Sequence, residues 1–98
     1  MARQIDAINE ARSYCVLDIE CDPPNLDNLD DAKNPHKARL VDIQLTGPGQ
    51  EVLIFPDELA PELLKIKPAM ILVGHNLKYD LIVLHRYGVD LTPHTWRS

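Results

Sequence analysis

Cysteine is scarce in this sequence: the chain has two, Cys15 and Cys21. They fall in or just beyond a single expected strand, which cannot fold back to bridge them, and neither belongs to a Cys-x-x-Cys pair. Two reduced, buried thiols and an intracellular protein are the expectation. Basic residues are also short, ten Lys and Arg against fifteen Asp and Glu, for a formal charge of −5. Such a surface holds a phosphate backbone poorly without metal ions or a basic partner, which argues against a stand-alone nucleic-acid binder. Long apolar runs are missing as well. Nothing approaches the roughly 20 residues of a membrane span, and Met1 to Asp6 has no apolar signal core. A soluble, cytoplasmic chain with no membrane partner is expected. Its 98 residues leave no room for a second domain, and 45% hydrophobic content is ordinary for one small, marginally stable core.

What is present centres on Tyr14 to Pro23, Tyr-Cys-Val-Leu-Asp-Ile-Glu-Cys-Asp-Pro. An apolar run without turn formers leads into two carboxylates two positions apart. In a strand, Asp18 and Glu20 project to one side with Val16, while Cys15, Leu17 and Ile19 point to the other. Nearly continuous apolar runs belong to sheets buried on both faces, where a carboxylate pair costs several kcal/mol unless a cation compensates. A divalent metal is the simplest compensation.

Around this strand, Gln4 to Arg12 carries Ile5, Ile8 and Ala11 at helical spacing, predicting a two-turn helix packed on one end of the sheet. Residues 21–37 hold Pro23, Pro24, Pro35, three asparagines and several aspartates without periodicity, predicting a flexible acidic loop. Those aspartates do not fit an EF-hand. Ala38 to Thr46 and Gln50 to Phe55 read as strands joined by a Gly47-Pro48-Gly49 hairpin, hence antiparallel. Pro56 to Lys67 carries Leu59, Leu63, Leu64 and Ile66, with acids at its front, and predicts a helix starting near Ala60 because Pro61 tolerates only the first turn. Ala69 to Gly74 is a short apolar segment expected as a buried parallel strand. Asn76 is an expected N-cap, Leu77, Leu81 and Leu84 a helical stripe, and Gly88 a C-cap. Asp80 then lies about a turn into that helix, where it either joins Asp18 and Glu20 or merely supports its own helix dipole. Val89 to Leu91 is expected to begin a last strand, and another helix to start near Pro93.

Two motifs in this order resemble those of the DnaQ-like 3′-5′ exonucleases, the DEDD superfamily. Leu17-Asp18-Ile19-Glu20-Cys21-Asp22 resembles the first motif, and His75-Asn76-Leu77-Lys78-Tyr79-Asp80 the second. Val73 to Asp80 is similar in particular to the proofreading domain of family A DNA polymerases. The resemblance implies an α/β, ribonuclease-H-like fold: a mixed sheet, three antiparallel strands then parallel strands, with flanking helices. It implies two Mg²⁺ or Mn²⁺ ions held by Asp18, Glu20 and Asp80, with Asn76 and Tyr79 near the substrate. Two such ions roughly 4 Å apart stabilise charge on the attacking and leaving oxygens of a phosphodiester, and oxygen ligands suit them. The implied substrate is a nucleic-acid 3′ end, DNA rather than RNA, and the implied partner a polymerase domain.

The third motif of that superfamily, Tyr-x-x-x-Asp or His-x-x-x-x-Asp, is absent. Tyr87-Gly88-Val89-Asp90 has the wrong spacing, and His94-Thr95-Trp96 stands where the family shows Asp-Thr before the missing helix. The expectation is a single partial exonuclease domain over residues 1–98, C-terminally incomplete and weak or inactive alone, or completed by another chain. The alternatives are a non-catalytic module docking to a polymerase, and an RNA-trimming relative of ribonuclease D or oligoribonuclease type. His36, His75, His85 and His94 lack zinc-ligand spacing. Lys33, Lys37 and Arg39 form either a phosphate contact or a solvated loop edge, and Tyr79 either stacks on a base or packs in the core.

Overall fold

The computed structural model describes residues 2–11, 13–47 and 52–98. Its centre is β1 (Tyr14–Asp22), where Cys15, Leu17 and Ile19 are buried while Tyr14, Val16, Asp18 and Glu20 are exposed. This period of two is the signature of a strand with one wet face. Antiparallel β2 (Arg39–Thr46) lies on one side of β1, and β3 (Leu53–Pro56) pairs antiparallel with β2. On the other side, β4 (Ile71–Val73) runs parallel to β1, and β5 (Trp96–Arg97) parallel to β4. The sheet order is β3-β2-β1-β4-β5, so the strand with the acids is central. The chain is thus an α/β fold with a five-stranded mixed sheet and flanking helices. The antiparallel β2–β3 pairing is as expected, although Pro48, Gly49, Gln50 and Glu51 lie outside the described residues.

Helix α1 (Ala2–Ala11), a 3₁₀ segment (Asp57–Lys65) and helix α2 (Leu77–Arg86) send Ile5, Ile8, Ala60, Leu63, Leu77, Leu81 and Leu84 into one core with Cys15, Leu17, Ile43 and Leu72. Each fully buried aliphatic side chain contributes about 1.5–3 kcal/mol relative to exposure. The opposite face, with Val16 and Ile54, stays open. That corrects the expectation of a sheet covered on both sides: these three helical segments pack on one face, so water solvates Asp18 and Glu20, and their place in β1 does not by itself demand a cation.

Three further expectations change. The Pro56 to Lys67 helix is 3₁₀ over Asp57–Lys65, with Pro61 inside it. Pro61 has no N–H to give Asp57 and its ring crowds that carbonyl, which removes an α-helical bond. Three residues per turn then stack Ala60, Leu63 and Ile66 on the buried side and leave Leu59 and Leu64 outside. Val89 to Leu91 forms no strand. Val89 and Leu91 are buried, but the Asp90 carboxylate accepts from the Thr92 N–H at 3.0 Å in an Asx turn. The fifth strand is instead Trp96–Arg97, where a further helix was expected. Segment 21–37 contains a short 3₁₀ turn (Leu29–Lys33) and is tied to α2 at its far end, where Arg86 Nη1 donates to the Pro35 and Ala38 carbonyls at 2.9 and 2.7 Å.

Candidate metal centre

The site exists because β4 is shorter than β1. Its last pair is Val73 with Val16, so β1 has no strand neighbour on that side from Leu17 onward. Ser13 O accepts from Ile71 N, and backbone groups alternate sides along a strand, so the Ile19 N–H points out of that open edge. It has no strand carbonyl to meet. It donates instead to Asp18 Oδ1 at 3.0 Å, and it lies near enough to the Asp80 carboxylate to pull its pKa down. Beside these acids the β1–β2 register slips between Glu20 and Cys21, a bulge of the kind that re-aims side chains.

Asp80 reaches this edge from the first turn of α2. It is 4% exposed, the one charged side chain in the core among the described residues, and its Oδ2 has no hydrogen-bond partner. Burial and, secondarily, the charge of Asp18 push its pKa up to about 7, against the opposing pull of the Ile19 N–H. The reading of Asp80 as a surface aspartate serving its helix dipole therefore does not hold. The fold brings Asp18 and Asp80 close enough for the charge of one to raise the pKa of the other, an arrangement in which a cation would relieve both the repulsion and the unpartnered oxygen. Hard carboxylate oxygens fit Mg²⁺ or Mn²⁺.

Glu20 lies two residues beyond Asp18 on the same exposed face of β1. Its carboxylate is exposed and accepts from Gln44 Nε2 at 3.5 Å, and it lies opposite Asp42 in the ladder. Among the described residues no group of three or more His, Cys, Asp or Glu side chains is placed to hold a metal ion.

Asn76 occupies the N-cap position of α2 but makes no side-chain cap; its φ of 50° is left-handed. Asn tolerates that conformation at low cost, which is the use made of it here. The orphan Leu77 N–H is met by Ser98 Oγ at 2.9 Å instead. At the other end Gly88, with φ of 83°, completes a Schellman cap in which Val89 N–H donates to Leu84 O and Gly88 N–H to His85 O. Tyr79 is half-buried; its hydroxyl donates to Ala32 O, and the Cys21 thiol lies nearby. Burial, then that thiol, raises the Tyr79 pKa, and burial raises both Cys21 and Cys15, the latter to about 11. Neither cysteine is an activated nucleophile. Lys33, Lys37 and Arg39 each pair with an acid of segment 21–37 or the end of β1, at 4.0, 3.9 and 3.0 Å. That is the solvated loop edge rather than a free phosphate clamp.

The Ile19 N–H and the Ser98 hydroxyl had no signal in the sequence, since every residue has a backbone donor and only topology shows which ones are unpaired. No protein-family model matches this sequence, and no curated protein does. Among the described residues no helix is long and apolar enough to cross a membrane.

Proposed function

We propose that the chain is a DnaQ-like 3′-5′ exonuclease domain of ribonuclease-H-like fold, acting on nucleic-acid 3′ ends, most like a polymerase proofreading domain. The observation that carries this reading is the meeting of Asp18 and buried Asp80, distant in sequence, at an unpaired strand edge. The mixed sheet, with its antiparallel β1-β2-β3 part followed by parallel β4 and β5, is compatible with it.

In this reading Asp18 and Asp80 hold a divalent cation, with Glu20, one β-repeat from Asp18 on the same face, as a further ligand. Bound there, such cations would supply charge stabilisation at the attacking and leaving phosphodiester oxygens. The Ile19 N–H fixes the Asp18 carboxylate. Asp80, with its pKa near 7, keeps a proton in part of the population at neutral pH until a cation displaces it. Asn76 and Tyr79, both within the second motif, lie near the substrate in this reading, Tyr79 in a positioning role because its hydroxyl is committed to Ala32.

A 3′-labelled single strand with Mn²⁺ tests the reading. Shortening from the labelled end is expected, with Asp18→Ala lowering it at least 100-fold; cleavage undiminished in Asp18→Ala would overturn the assignment. That no group of three or more potential ligands is placed to hold a metal ion among the described residues favours a second reading, a non-catalytic module of the same fold that docks to a polymerase. A folded chain that binds no Mn²⁺ and cleaves neither DNA nor RNA would select it.

A further inference from the structure

A trough of 610 Å³ lies against α2, with neither Asp18 nor Asp80 among its lining residues. Leu81 and Ile82 of α2 and Trp96 of β5 line it, and Lys78, Arg86, His36 and His85 complete most of its wall. Lys78, Ile82 and Arg86 recur at i, i+4 and i+8, so they form one ridge about 12 Å long. Lys78 also borders a smaller neighbouring cavity of 260 Å³ beside Lys33 and Tyr79. No carboxylate is among the residues lining either cavity, in a chain with an excess of five acids. Lys78 and Arg86 form no ion pair with any described acid. Cations are therefore gathered, unneutralised, along one apolar trough.

We propose that this trough is a docking site for an acidic amphipathic helix. Its exposed surface is mostly apolar, which suits the apolar stripe of a helix better than a phosphate backbone. Five of its eight lining residues, Lys78, Leu81, Ile82, His85 and Arg86, belong to α2, which suits the ridge-into-groove packing of one helix on another. The cation at each end of the ridge suits carboxylates about two turns apart on the partner, flanking apolar residues that cover Ile82 and Trp96. The lysine and arginine stems extend the apolar wall; the Lys78 head reaches a partner's acid, while the Arg86 guanidinium, held at Nη1 by the Pro35 and Ala38 carbonyls, presents its charge from a fixed place. This inference does not depend on the metal site.

Trp96 is the only tryptophan of the chain and is 41% exposed, so its emission reports occupancy directly. A phage-displayed library of helical peptides is panned against the immobilised full chain, and synthetic copies of the selected sequences are titrated by Trp96 fluorescence. The expected selection carries Leu, Ile or Phe at i, i+3 or i+4 and i+7 flanked by Asp or Glu, and shifts the emission to the blue. Lys78→Glu, an exposed position, is expected to weaken those peptides at least tenfold and to be rescued by charge-reversed, lysine-bearing copies. Ile82→Asp is expected to weaken both. A selection without acidic enrichment, peptides that leave Trp96 unchanged, or equal affinity for Lys78→Glu would each overturn the proposal. So would a single-stranded oligonucleotide that binds at Trp96 more tightly than the selected peptides, which would make the trough a nucleic-acid track.

Discussion

At the scale of the residue, Asp80 is where sequence and environment disagree most. Its folded pKa is raised above the ordinary value of 3.8, to about 7, so the native state keeps a proton that the unfolded chain releases. With more protons bound to the native state in that interval, stability falls as pH rises from about 4 to about 7 and then levels. Asp80→Asn removes the charge but keeps the shape. It is expected to flatten that slope and to raise stability at pH 8 by roughly 1–3 kcal/mol, read by urea unfolding across the pH range. An unchanged slope in the variant would place the titration elsewhere. The type of residue and its helical position were legible from Asn76 to Asp80. Its burial was not, because burial depends on where β4 stops relative to β1.

At the scale of the element, backbone fit controls the outcome at Gly74. A Cβ there would lie 2.7 Å from the Leu17 carbonyl, with Leu77 on its other side at 3.0 Å. Gly74→Ala is therefore expected to push β4 from β1 at the edge that exposes the Ile19 N–H, costing about 2 kcal/mol or more. The loss would appear in both the unfolding midpoint and the affinity for Mn²⁺. Asn9 joins elements differently: its amide donates to Lys65 O at 2.8 Å and accepts from Lys67 N at 2.9 Å, fastening α1 to the connection before β4. Asn9→Ala leaves the Lys67 N–H without its partner and is expected to cost about 1–2 kcal/mol in denaturant melts. Period-two burial in β1, the α2 stripe of Leu77, Leu81 and Leu84, and the Gly88 cap all followed from local pattern. The 3₁₀ geometry around Pro61 and the turn at Asp90–Thr92 did not, since each replaces a periodic apolar run by a local hydrogen-bonding constraint. The true β5, Trp96–Arg97, has two residues and no periodicity from which it could be read.

At the scale of the whole molecule, one-sided helix packing separates the apolar core from the exposed acids of β1. The buried face of the sheet is continuous and apolar, while the open face carries Asp18 and Glu20 and the free edge of β1 carries the junction with Asp80. The class of fold was legible from the order of strands and helices; the coverage of one face alone was not, because it is set by which side each connection crosses. Net charge of −5 adds a general repulsion to the local one at Asp18 and Asp80, so divalent cations are expected to stabilise the fold more than monovalent salt at equal ionic strength. The most direct test is calorimetric titration with Mn²⁺ at pH 6.5 in two buffers of different ionisation enthalpy. Saturable binding with proton release, lost in both Asp18→Asn and Asp80→Asn, is the expected result. No saturable binding, or binding retained in Asp18→Asn, would contradict a metal centre built on these two acids.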